Sequence, residues 1–319
     1  MTYFLHGATL ALVWFLATNI ALSAAVAGIA SRIDLRRSAP LLLALRLLPA
    51  AASVLFVALV FVPSYVKFEP RDFAEGFDLT LTLAAFAAAA LLVSGGVQAL
   101  IAWRRALKRA RVWTASARPL ALDGVGIPAF RIEADQPVMA LVGIVRARLL
   151  VTRGLIEALT AEELAASIAH EIGHHRAWDN LKRLAMRGAP DLLGWTRAGR
   201  RLEHAWAAAA EHHADAGASA AADRAGRLAL ASALVKVARL MPAPSSIGVP
   251  ISTLMGGGEI ASRVERLLDD TQETNPAPRR RLPARLAAAL AVVTSIALAY
   301  APLLATVHHA TELLVHHLP

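Results

Sequence analysis

Four runs of apolar residues, each about as long as the 20 or so residues needed to cross a lipid bilayer, constrain this chain more than any other feature. They cover Ala8–Ala30, Leu41–Val62, Leu79–Trp103 and Leu286–Val307. They explain why 56% of the 319 residues are hydrophobic and only 18% charged, against roughly 25% charged in an average globular chain. None carries an ionisable side chain near its middle. Arg46 stands toward one end of the second run and is expected to snorkel to the interface. A channel or pump usually needs charge within the membrane, so the runs read as an anchor or frame. The first is not read as a cleaved signal peptide: it is too long, and no Lys or Arg precedes it.

The net charge of +9 follows these runs. Arg32, Arg36 and Arg37 lie between the first and second. Lys67 and Arg71 face Glu69, Asp72, Glu75 and Asp78 between the second and third. Arg104, Arg105, Lys108, Arg109 and Arg111 follow the third, and Arg279, Arg280, Arg281 and Arg285 precede the fourth. The positive-inside rule then puts both termini outside and segment 104–285 in the cytoplasm, with the inner membrane as the expected location. The excess charge is an orientation signal, and nucleic acid is not an expected partner; the lipid bilayer is.

Three regions result: a three-helix membrane region at 1–103, a cytoplasmic domain at 104–285, and a fourth span with a short external tail at 286–319. Arg104–Arg111 is expected to continue the third span as a basic helix. Ala129–Glu133, Val138–Val145 and Arg148–Thr152 are β-branched-rich and bounded by Gly or Pro, so they predict strands, the last two an antiparallel pair. Thr160 with Glu163 three residues on has the form of a capping box and predicts a helix from Ala161 to about Met186. Further helices are expected over Arg197–Ala216, Ala225–Leu240 and Ile260–Asp269.

The chain has no cysteine, so any metal must sit on His, Asp or Glu. His170-Glu171-Ile172-Gly173-His174 falls within the capped helix. Histidines four apart are separated by about 40° around a helix, so both rings reach one point beside it. Zinc accepts such nitrogens, and Glu171 can take a proton from a water on the metal. Small or apolar neighbours (Ala165, Ala166, Ile168, Ala169, Ile172) argue against an ordinary solvated stripe. A third ligand is available in Glu211-His212-His213-Ala214-Asp215. Glu211 and Asp215 share a face, Glu211 suited to the metal and Asp215 to a ligand histidine. His212, His213 and His204 remain rivals.

HEIGH followed by EHHAD resembles the HExxH…ExxxD pair of membrane-embedded gluzincin metallopeptidases, a type shared by the HtpX/Ste and the BlaR/MecR antirepressor peptidases. Three spans, a cytoplasmic zinc domain and one more span are similar to the BlaR/MecR arrangement, as are Val142–Val145 with Leu149–Val151, Asp179-Asn180 and Arg263-Val264. The resemblance implies a mainly α membrane protein whose cytoplasmic α+β zincin-like domain carries a small β-sheet. It implies one Zn2+ per chain on His170, His174 and Glu211, and hydrolysis of peptide bonds with Glu171 as the proton acceptor. Arg263 is the implied oxyanion partner. Asp215 and Asp179 stand behind the ligands. Val142, Gly143 and Ile144 are expected either to form an edge for an extended peptide substrate or to be paired within the sheet. The sequence ends at Pro319, so the external penicillin-binding sensor of BlaR/MecR proteins is not expected, and β-lactam sensing is not carried over.

The expected function is thus a zinc endopeptidase of the membrane in regulatory or quality-control proteolysis, with self-cleavage and homo-oligomers open. The alternative is a zinc-binding signal transducer or adaptor with little proteolysis. Asp179 also has a plain structural reading. Gly256–Gly258 reads as a flexible loop near the cleft, and Thr271–Pro278 as a polar linker. His308, His309, His316 and His317 read as incidental interfacial residues.

Overall fold

The computed structural model describes residues 2–32, 38–70, 79–122, 125–220, 224–240, 252–253, 260–269 and 299–315. Three helices are long and apolar enough to cross a membrane: α1 (Thr2–Arg32), α2 (Ala39–Phe68) and α3 (Leu79–Ala115). At 1.5 Å per residue, α2 alone is about 45 Å long. It contains a π-helical turn at Val57–Phe61, just before Pro63. Proline has no N–H to give the carbonyl one turn back, and Leu59 O instead accepts a 2.6 Å hydrogen bond from Tyr300 Oη. α3 runs through Arg104–Arg111 without a break, as its basic continuation predicted. Residues 286–298 of the fourth apolar run lie outside the described residues; 299–315 are helical and form α10. The expected loop around Gly256–Gly258 and the linker at Thr271–Pro278 also lie outside the described residues.

The remaining elements make up a small sheet and a set of helices. β1 (Arg118–Leu120), β2 (Ala129–Ile132), β3 (Met139–Val142), β4 (Arg148–Thr152) and β5 (Ser252–Thr253) stand in the order β1-β2-β4-β3-β5. β2 and β4 are parallel; the other neighbours are antiparallel, including the expected β3–β4 pair, in which Val142 faces Arg148. Alternation sends Ala140, Val142 and Leu150 onto Ala106 of α3. The same strands send Met139, Leu149 and Val151 into the core formed with the helices. That double burial explains why β3 reads as an unbroken apolar run.

The helices are α4 (Arg153–Ala158), α5 (Ala161–Arg176), α6 (Asp179–Gly188), α7 (Arg197–Ala220), α8 (Arg224–Leu240) and α9 (Ile260–Leu268). The expected single helix from Ala161 to Met186 is therefore two. Trp178 takes a left-handed conformation (φ 57°) and separates α5 from α6. The capping box of α5 forms in both directions, Thr160 Oγ1 accepting from Glu163 N and Glu163 Oε2 accepting from Thr160 N.

Arg46 does not snorkel. It is 2% exposed, and its guanidinium meets Asp191 at 2.9 Å and Glu203 at 2.8 Å and donates to Met186 O. An arginine at this depth is held by two carboxylates that the chain between α6 and α7, and α7 itself, bring to it. Around it Val26, Ala30 and Leu42 of the apolar helices pack with Met186, Leu193, Leu202, Trp206 and Ala210. Buried Asn19 of α1 adds bonds to Pro190 O and Leu192 N. The α6–α7 region is thus seated directly on the ends of α1 and α2.

Candidate metal centre

α5 and α7 cross closely at Gly173. A Cβ at that position would lie 3.3 Å from Ala214 Cα, so the absent side chain lets α7 approach and bring Glu211 to the histidines. His170 Nε2 and His174 Nε2 lie 3.2 Å apart, and each lies 3.5 Å from a carboxylate oxygen of Glu211. Four-coordinate zinc with ligand distances of about 2.0–2.1 Å needs donors separated by roughly this much.

The outer ring nitrogens settle which atoms face the centre. His170 Nδ1 meets Asp215 Oδ1 at 2.9 Å, and His174 Nδ1 meets Asp179 Oδ2 at 2.7 Å. With both Nδ1 atoms turned to carboxylates, the rings in their neutral form present two Nε2 lone pairs to one another. A cation between them relieves that repulsion. Both oxygens of Glu171 and both of Glu211 are buried without a hydrogen-bond partner among the described residues. Buried carboxylates in that state need a ligand to compensate them. The donor set fits zinc, and His170, His174 and Glu211 are the residues that would hold it.

The electrostatics agree. Burial alone would make both rings harder to charge, yet Asp215 and Glu211 raise His170, and Asp179 and Glu211 carry His174 up to about 10. Burial likewise opposes ionisation of Glu211, but the two histidines and Arg263 hold it well below the usual carboxylate range. For Glu171, full burial outweighs the pull of the two histidines and Arg263 and pushes it up. The centre is a pocket of carboxylates that attracts positive charge.

Arg263 is 1% exposed and is turned to the acidic residues. Its Nε and Nη2 donate to the two oxygens of Asp215 at 2.9 and 2.6 Å, and Nη1 lies 3.2 Å from Glu211 Oε2. This grip fixes Glu211 and Asp215 in place. Arg183 Nη2 approaches Glu211 from the other side at 3.8 Å, and the sequence reading missed it. Arg183 also lines a cavity of about 450 Å³ with Arg46, Asp191, Glu203 and His204. His204 thus lines this cavity, and His212 and His213 do not join the three-residue cluster.

The proposed peptide edge divides in two. Val142 is fully buried and its side chain packs with Ala106, away from the centre. Gly143 (φ +94°) and Ile144 line a cleft of about 10 Å³ with His174, Trp178 and Asp179. Asn180 Nδ2 donates to Leu141 O and Gly143 O, tying the end of β3 to the start of α6. The outer edge of β3 at Ala140 and Leu141 is paired with Thr253 and Ser252 of β5, another feature that the sequence did not announce.

A search of curated proteins finds no match to this chain. The sequence profile of Peptidase family M48 matches residues 129–205, a stretch that runs from β2 through both histidines and stops short of Glu211. Peptidases of this family are zinc-dependent, so the matched segment is similar to the part of a metallopeptidase in which the structure places the paired histidines.

Proposed function

We propose that this chain is an integral-membrane zinc endopeptidase that hydrolyses protein substrates, or itself, at the cytoplasmic face. The observation that carries the reading is the convergence of His170 Nε2, His174 Nε2 and the Glu211 carboxylate beside a fully buried Glu171. Three helices of membrane-spanning length support the location. The basic residues at the domain end of α3 support an inward-facing domain, with both termini and the 63–78 connection outside.

Zinc supplies a Lewis acid that polarises the scissile carbonyl and makes a water nucleophilic. The protein supplies the rest. Asp215 and Asp179 hold the two rings with Nε2 forward. Glu171 accepts a proton from the attacking water and delivers it to the leaving amine; its raised affinity for protons suits a group that must hold one between the two steps. Arg263 acts through Glu211 and Asp215 and is a positioning residue. The substrate strand lies along Gly143 and Ile144, continuing the edge that β5 occupies at Ala140 and Leu141. Regulatory or quality-control cleavage fits an enzyme whose reactive groups are buried until substrate is engaged.

Purified full-length protein with zinc and an unfolded casein-like substrate tests this reading. Glu211→Ala abolishes cleavage and zinc retention at this centre, whereas His212→Ala keeps both. Full cleavage by Glu211→Ala would remove Glu211 from the site and the reading with it.

A further inference from the structure

A second group of metal-ligating side chains gathers at the far end of the apolar helices. Glu69 caps the C-terminus of α2 with its backbone extended. His308 and Glu312 sit one turn apart on α10, the i, i+4 spacing that puts two side chains on one face. One ligand atom from each of the three residues lies within 4.8 Å of the other two. The Glu69 side chain is 3% exposed and that of His308 26%.

We propose that Glu69, His308 and Glu312 form a second divalent-metal site, suited to zinc or a similar ion that accepts both imidazole and carboxylate. Two geometric facts support it. First, His308 Nδ1 and Glu69 Oε2 are 3.8 Å apart, beyond hydrogen-bonding distance. That spacing is only slightly wider than the 3.2–3.5 Å between donor atoms at the HExxH centre. Second, the His308 ring is held in place by stacking on Phe68, with centroids 5.4 Å apart and planes 23° apart. The Lys67 ammonium also lies over the Phe68 ring, 5.0 Å from its centroid.

The corner is preassembled. Ser64 Oγ donates to Leu304 O at 2.6 Å, Tyr300 Oη to Leu59 O, and Trp14 Nε1 to Thr311 Oγ1 at 3.0 Å. These bonds set α10 against α1 and α2 before any ion arrives, which lowers the ordering cost of binding. The site lies about the length of α2, roughly 45 Å, from the end of that helix on which the HExxH domain is seated. It is therefore a separate site, and a bound ion there would clamp α2 to α10. On the topology proposed above it faces outward, where it would respond to metal outside the cell; this last clause alone rests on that reading.

Zinc binding by the tag-free, full-length protein in detergent, measured by equilibrium dialysis with zinc chloride, tests the site. Wild type binds two zinc ions per chain. His308→Ala and Glu69→Gln each lose one while keeping casein cleavage and, in zinc-free buffer, the thermal midpoint, and His309→Ala loses none. His170→Ala loses the other ion. Zinc binding unchanged in both His308→Ala and Glu69→Gln would overturn the second site, whatever His170→Ala does. If His170→Ala instead loses nothing while His308→Ala still loses one ion, the second site stands and the proposed peptidase centre falls.

Discussion

Glu163 works for two helices at once. One of its oxygens accepts from Thr160 N at 2.8 Å and from Lys236 Nζ at 2.7 Å, and the other from Ser232 Oγ at 2.6 Å. The same carboxylate therefore caps the helix that carries the histidines and fastens α8 against it. Burial disfavours its charge, but these three donors outweigh burial and hold it below its ordinary value. Because the folded value is the lower one, the stabilisation is fully present above the unfolded value near 4.5 and is lost as pH falls through the folded value. Glu163→Gln should thus lower stability at pH 7 by about 1–2 kcal/mol and flatten the acid limb of the thermal midpoint against pH. An acid limb as steep as that of wild type would show that Glu163 is not the group responsible.

Among the elements, the crossing of α5 and α7 decides whether a metal centre can exist, and one glycine sets it. Gly173→Val would push branched carbon atoms into Ala214, where even a Cβ is 3.3 Å from Ala214 Cα. Overpacking of this kind costs about 1–3 kcal/mol; it should also weaken zinc binding, because Glu211 moves with α7. Comparing the zinc affinity of Gly173→Val and wild type by competition with a chelator checks this, and equal affinities would refute it. The α5 part was legible in the sequence because its signals are local: a capping box, a four-residue histidine spacing and small neighbours. The break after it was not. Ala177-Trp178 contains neither Gly nor Pro, and the turn is explained only by where it delivers Asp179, onto His174 Nδ1. β5 escaped notice for a related reason, since two residues are too few to show a strand period.

For the whole molecule, the apolar helices and the metal-bearing helices share a core, and they cannot be treated as an anchor with an independent domain. The sequence located the first three apolar runs but could not show this joint. Its key contacts pair Arg46 with residues 145 and 157 positions away in the chain, and a lone arginine near the end of a span has an ordinary interfacial explanation. Replacing Arg46 with Met leaves Asp191, whose side chain is fully buried, without its partner. Loss of one member of such a pair costs about 3–5 kcal/mol. Arg46→Met should therefore lower the thermal midpoint in detergent sharply, and Asp191→Asn added to it should recover part of the loss. An unchanged midpoint would place the joint's stability elsewhere. His308 was likewise visible in the sequence, but Glu69 lies 239 positions before it, and only the fold brings them together.

The claim that unites these scales is that the paired histidines and Glu211 hold a zinc ion for Glu171 to use. Glu171→Gln tests it most directly, because the amide keeps the shape of the side chain and gives up its role as proton acceptor. With zinc content and casein cleavage measured on the same purified samples, the variant should hold as much zinc as wild type and cleave roughly 10²–10⁴-fold more slowly. Cleavage at the wild-type rate by zinc-loaded Glu171→Gln would contradict the account.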